Sequence, residues 1–203
     1  MQVRQLKLVC SCRFDIRAPD FVGSVELGRD EEGMLESAQY INNLIEEEIR
    51  AGIPSHRIFL GGFSQGATMS LFVGLTTSKL LGGIICLSGR LILRDRILQV
   101  SGRRLLDASI EIENFQMRPH SRAREIPIFW GHGTNDPTLK YAVARSHANL
   151  LVRFLGIREI PEEGINGSLV GLIFLTYYGL GHTTCDSELN SLREWLKKLI
   201  PSA

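Results

Sequence analysis

Ser64 sits at the centre of Gly61-Gly62-Phe63-Ser64-Gln65-Gly66-Ala67, a G-x-S-x-G pattern. A serine hydroxyl is a weak nucleophile. It attacks a carbonyl only when a base within hydrogen-bond reach takes its proton and a third group orients that base. The chain offers both partners in the order Ser, acid, His, the order found where the nucleophile sits on a strand-to-helix turn of a parallel sheet. Asp136 lies in Gly131-His132-Gly133-Thr134-Asn135-Asp136-Pro137, and His182 ends Gly179-Leu180-Gly181-His182. The backbone N–H of Gln65, one residue past the serine, is in position to face a developing oxyanion. Gly62 and Gly66 flank Ser64, where larger side chains would crowd the turn.

Other candidates are weaker by position. His132 precedes the acid at a strand end and reads as a loop-shaping residue. His56 follows Pro54 in a turn and reads as solvent-facing, while His120 and His147 have no supporting residues around them. Asp107 has no strand before it. Asp186 follows His182 so closely that only an unusual local geometry would let it orient the ring. Asp136 is therefore the favoured acid.

These groups need a scaffold that brings distant loops to one edge. Met34, Leu35, Ala38, Ile41, Ile45 and Ile49 recur at helical spacing, and Gly52 and Pro54 stop that helix. Short apolar runs at 58–60, 84–87, 126–130 and 172–177 read as strands. Residues 68–77 and 139–155 read as helices, the second with Val143, Leu150, Leu151 and Phe154 as core candidates. Leu189, Leu192, Leu196 and Leu199 give the last helix its face, with Trp195 beside it. Short apolar strands alternating with helices predict a parallel sheet covered on both sides. Ser64, Asp136 and His182 each follow a predicted strand, so all three fall at the C-terminal edge of that sheet.

Composition limits the partners. Lys and Arg total 23 against 22 Asp and Glu, which gives no global reason to expect nucleic acid or an anionic membrane. The 203 residues are 44% hydrophobic and 22% charged, as in an ordinary globular protein with a real core. Cys10, Cys12, Cys86 and Cys185 show neither metal-site spacing nor a disulfide framework, which points to a reducing compartment. No secretory leader is read in the first residues, and 169–175 is too short an apolar run to cross a bilayer. Residues 94–125 carry seven arginines and few packing positions, and 157–170 read as a surface excursion.

The run 51–67, together with 75–80, 83–88, 131–137 and 178–182, closely resembles the acyl-protein thioesterase / phospholipase–carboxylesterase family of α/β-hydrolases. Phe14-Asp15 and Asp30-Glu31-Glu32-Gly33 are similar to its aromatic-Asp pair and to the acidic lead into what is here the first helix. Gly-Gly-Phe-Ser-Gln-Gly is far more specific than G-x-S-x-G. The resemblance implies a three-layer α/β-hydrolase fold with a mostly parallel sheet, as a single domain over residues 1–203, with atypical segments at 94–125 and 157–170. The family's His-Gly-Leu-Gly-Asp loop, which supplies a second oxyanion donor, has no counterpart before Phe14, so the expectation is an N-terminally truncated version lacking that strand and loop. An aromatic residue of the family is replaced near Arg90, and Leu91, Ile92 and Leu93 are the acyl-channel candidates.

By resemblance, Ser64 is the nucleophile, His182 the base and then acid, and Asp136 its orienter, with Gln65 in the oxyanion hole. The implied activity is hydrolysis of fatty-acyl thioesters of palmitoylated proteins, without cofactor or metal. The alternatives are a lysophospholipase or small-ester carboxylesterase of the same family, or a truncated inactive hydrolase-like protein. Expected partners are S-acylated proteins, lysophospholipids or small esters, without nucleic acid and with at most transient membrane contact. The expected state is a monomer or weak homodimer in the cytoplasm, with the nucleus as a second compartment.

Overall fold

The computed structural model describes residues 31–93, 119, 121–162 and 168–200. Within them, α1 (Glu31–Arg50) leads through a short 3-10 turn to β1 (Phe59–Phe63), α2 (Gln65–Thr76) and β2 (Gly83–Leu87). A second short turn then enters β3 (Pro127–Gly133), followed by α3 (Tyr141–Leu155), β4 (Gly171–Tyr177) and α4 (Asp186–Leu199). The four strands lie in the order β1-β2-β3-β4, every pair parallel. In register, Leu60 meets Ile84, Ile84 meets Ile128, and Ile128 meets Leu172.

Side chains alternate across a strand, so this register sorts the sequence into two apolar layers. Leu60, Ile84, Cys86, Ile128, Trp130 and Leu172 pack with α1, α2 and α3 on one face. Phe59, Ile85, Leu87, Phe129, Ile173 and Leu175 pack with Trp195 of α4 on the other. The result is helix, sheet, helix: the α/β architecture that the alternating pattern predicts. α2 is buried on all sides from Ala67 through Leu75, because the sheet covers one side and α1 the other.

The strands run further at their C-terminal ends than apolar periodicity indicates. β1 continues through Gly61 and Gly62, and β3 through Gly131 to Gly133. Glycine carries no hydrophobic signal, yet these residues make the ladder at the edge where the loops depart.

Two helical faces differ from the sequence reading. In α3 the buried positions are Ala144, His147, Ala148 and Leu151, while Val143 is exposed. In α4 the inward residues are Glu188, Leu192, Trp195 and Leu199, with Leu196 flanking, whereas Leu189 is 45% exposed. A leucine at every third or fourth position is ambiguous by one residue, and the bulk of Trp195 fixes the rotation.

Residues 157–162 are also more than a surface excursion. Ile157 and Ile160 are buried, and the segment bonds to β4 through Leu172 N–H to Arg158 O (2.8 Å) and Ile160 N–H to Leu172 O (2.8 Å). Among the described residues it covers part of an otherwise open sheet edge, and an Arg145–Glu159 ion pair at 2.7 Å ties it to α3. Of the arginine-rich segment, Ala123–Glu125 form the turn entering β3. Its 94–118 stretch, and residues 163–167 of the later one, lie outside the described residues.

The rotation of α4 makes a measurable difference. Trp195→Ala is expected to cost about 3–5 kcal/mol and Leu189→Ala no more than about 0.5 kcal/mol, read from urea unfolding midpoints. Equal losses would mean that the other face of α4 is the buried one.

Candidate active site

β1 ends in a turn that regular backbone does not make. Ser64 has φ 54° and ψ −114°, a positive φ on a residue with a Cβ. Such a conformation stores about 1–3 kcal/mol and persists only when its surroundings over-determine it. Here they do. Ser64 N–H donates to Leu87 O of β2 at 2.8 Å, and Ser64 O accepts from Thr68 N–H at 3.0 Å, so the residue belongs to sheet and helix at once. Gly62 lets the two approach: a Cβ there would lie 2.5 Å from Gly66 C and 2.8 Å from Ala67 N. Gly66 meets nothing within 4 Å at the corresponding position, so the steric requirement falls on Gly62.

The turn lifts the Ser64 hydroxyl towards His182. Ser64 Oγ is 2.8 Å from His182 Nε2, and His182 Nδ1 is 2.8 Å from Asp136 Oδ2. With Nδ1–H donating to Asp136, Nε2 is left as the acceptor that faces the Ser64 hydroxyl. Asp136 is held from the opposite side. Its Oδ1 accepts Thr138 N–H at 2.9 Å and Leu139 N–H at 2.8 Å. The Asp136 side chain is fully enclosed, while that of His182 keeps 18% of its surface exposed. A buried carboxylate thus has charge-assisted partners, and the ring retains an open side.

Two hydrogen bonds hold the two loops together. Asn135 N–H donates to Leu180 O at 3.0 Å, and Gly179 N–H to Thr134 Oγ1 at 2.8 Å. The Phe63 ring lies 4.9 Å from the His182 ring, tilted by 46°, and limits its movement. His132 is wholly buried at the end of β3 and donates through Nε2 to Leu139 O at 2.7 Å. Burial lowers its basicity below the ordinary imidazole range, against the opposing pull of Leu139 O and Asp136, so it is uncharged at neutral pH.

A family model described as phospholipase/carboxylesterase matches residues 14–105. Acyl-protein thioesterase 1 of Cryptococcus neoformans is 36% identical over 187 residues, covering 92% of this chain and 70% of that relative. The chain belongs to this hydrolase family. Acyl-protein thioesterase 1 of Neurospora crassa is 37% identical over 191 residues, covering 93% and 65% of the two chains. The crystal structure of Arabidopsis thaliana SOBER1 superposes with a TM-score of 0.62 at 28% identity, covering 84% of this chain and 66% of the other. The α/β-hydrolase fold is thus shared, and the chain spans about two thirds of the length of the relatives it matches.

Within this family member, the remaining candidates fall into place as follows. Asp186 is exposed in the first turn of α4, and His56 is exposed as well. His147 is buried and accepts Leu91 N–H at Nδ1 (3.2 Å), a structural contact. Leu91, Ile92 and Leu93 are buried in the layer with α2, and Arg90 N–H reaches Thr68 Oγ1 at 3.3 Å. His120 and Asp107 lie outside the described residues. Phe63 and Thr134 were not singled out by sequence reasoning. Phe63 was visible as the aromatic inside the nucleophile motif, whereas Thr134 carries no signal of its own. Among the described residues no helix is long and apolar enough to cross a membrane.

Two outcomes follow from the packing here. Gly62→Ala must displace backbone of α2, and is expected to lower stability by about 1–3 kcal/mol with loss of the Ser64 geometry; an unchanged melting curve would contradict this. For His132, the folded state binds fewer protons than the unfolded one below the ordinary value of 6.5. Stability should therefore fall as pH drops below that value, and His132→Gln should flatten that slope in urea midpoints measured against pH.

Proposed function

We propose that this chain is a serine hydrolase that removes fatty-acyl groups from S-acylated proteins by way of an acyl-enzyme on Ser64. The observation that carries the reading is the unbroken chain Ser64 Oγ, His182 Nε2, His182 Nδ1, Asp136 Oδ2, with both links at 2.8 Å. Family membership and the acyl-protein thioesterase names of the similar relatives support the substrate class.

In this reading, Ser64 Oγ attacks the thioester carbonyl carbon as its proton passes to His182 Nε2. Asp136 holds the ring in the tautomer that accepts the proton and stabilises the imidazolium that forms. Gln65 N–H, at the start of α2, faces the negative oxygen, where the helix N-terminus adds its own positive potential. The tetrahedral intermediate collapses, the C–S bond breaks, and His182 returns the proton to the leaving thiolate. Water then attacks the acyl-serine, giving up a proton to His182, and the fatty acid leaves as Ser64 recovers its hydrogen. Leu91, Ile92 and Leu93 are proposed as the apolar wall nearest an acyl chain. The phospholipase/carboxylesterase description of the matching family favours a second reading, in which the scissile bond is an oxygen ester of a lysophospholipid or small ester.

A fluorophosphonate probe is expected to label the protein at Ser64, and Ser64→Ala to abolish labelling. Asp136→Asn should slow it by about 10⁴-fold, the size seen when another serine triad loses its acid. A folded chain that resists the probe would refute the hydrolase reading. Comparing turnover of a palmitoyl thioester with that of a lysophospholipid decides between the two substrates.

A further inference from the structure

Glu188 lies on the inward face of α4 with no solvent exposure, and neither carboxyl oxygen has a hydrogen-bond partner among the described residues. An unpaired carboxyl in an apolar layer is less stable there than an apolar side chain of similar volume. Packing alone therefore gives no reason for glutamate at this position.

Its seat is specific. Glu188 Oε1 lies against Gly131 of β3, in the space that any Cβ at that position would occupy. Two residues on, Leu180 O lies against Gly133 in the same manner. Residues two apart in a strand share a face, so one side of the end of β3 receives both groups. His132, between them, is directed to the other side, where it bonds Leu139 O. Leu180 and Glu188 bracket His182 in the chain. The end of β3 thus grips the His182 loop before and after the histidine, and the Asp136 loop through His132.

We propose that Glu188 is a positioning residue for the triad: seated on Gly131, its carboxyl docks the first turn of α4 against β3 and so holds His182 beside Asp136. The inference rests on the hydrolase reading, because the placement of His182 matters to rate only if it acts on Ser64. Among the described residues, the shifted groups on which the Glu188 charge acts are Tyr177 of β4 and Cys86 of β2. Burial pushes the Tyr177 phenol up to about 12 and the Cys86 thiol up as well, and Glu188 adds to both. Neither can become a cation. With burial the sole influence on it, the Glu188 carboxyl rises from 4.5 to about 7. Below that value the neutral acid rests in the apolar layer. Above it the carboxylate draws water, and hydration requires the start of α4 to lift away from Gly131, carrying the His182 loop with it.

The test compares the wild type with Glu188→Gln, which keeps the shape and removes the titration. Amide hydrogen exchange in residues 179–187 and the rate of fluorophosphonate labelling are followed from about pH 5.5 to about pH 8.5, a window spanning the shifted carboxyl. At each pH the ratio of the two proteins cancels the intrinsic pH dependence of exchange. The wild-type to Gln exchange ratio is expected to rise at least about 3-fold across the window, as local opening becomes easier. The labelling ratio should fall by a similar factor. An exchange ratio that stays flat overturns the inference, whatever the labelling does, because a merely structural glutamate has no reason to act differently on the two sides of its titration. If the exchange ratio rises while Ser64 is never labelled, the hydrolase reading fails and the docking of the loop by Glu188 stands. Should the Gln variant not fold, Glu188→Met, of similar volume and without a titrating proton, takes its place with the same expected ratios.

Discussion

The backbone at Ser64 is the constraint on which the site depends. A residue with φ 54° and ψ −114° is unfavourable in isolation, and here it is clamped between Leu87 O on one side and Thr68 N–H on the other. The clamp requires β2 to lie beside β1 in parallel register and α2 to start at once, which in turn requires Gly62 to present no side chain to Gly66 and Ala67. The buried apolar length of α2, pressed between sheet and α1, supplies the packing that offsets the strain. Loosening any of these parts would let Ser64 relax into an ordinary helix N-cap conformation, with its hydroxyl directed elsewhere.

The same hydrogen-bonding pattern steps across the sheet edge. Ser64 N–H bonds Leu87 O, Ser88 N–H bonds Gly131 O, and Thr134 N–H bonds Tyr177 O. Each strand's exit is therefore fixed by its neighbour's last carbonyls. Ser88, like Ser64, has positive φ (49°), so the edge bends sharply at two adjacent strands. The site is a consequence of parallel pairing: loops from β1, β3 and β4 are delivered to one edge, and short bonds between Asn135 and Leu180 and between Gly179 and Thr134 remove their remaining freedom.

Much of this was legible in the sequence because the signals were redundant. The strands before Ser64 and Asp136 were marked by apolar runs, and the order Ser, Asp, His matched one kind of sheet topology. What was not legible depended on packing between distant elements. The face of α4 turned on Trp195 rather than on Leu189, since a leucine repeat does not say which of two adjacent stripes is deeper. Residues 157–162 looked like polar loop, yet Ile157 and Ile160 find apolar cover beside β4. The glycine ends of β1 and β3 were invisible to a hydrophobic count, although those glycines are what allow α2, Leu180 and Glu188 to approach the sheet so closely.

His132 and Glu188 face opposite sides of the same strand end and titrate in opposing senses. His132 is held uncharged by burial, so the folded state resists taking up its proton and loses stability as pH falls below 6.5. Glu188 is also held uncharged by burial, but for a carboxyl that means keeping a proton, so the folded state loses stability as pH rises from 4.5 towards about 7. Below 6.5, where His132 contributes, the two effects overlap and their slopes oppose each other. A pH profile of the whole protein therefore understates each one, and only above that overlap does the carboxyl act alone. The common requirement is neutrality on both sides of β3: a charge on either would draw water into the end of the strand that holds Asp136 and His182 together.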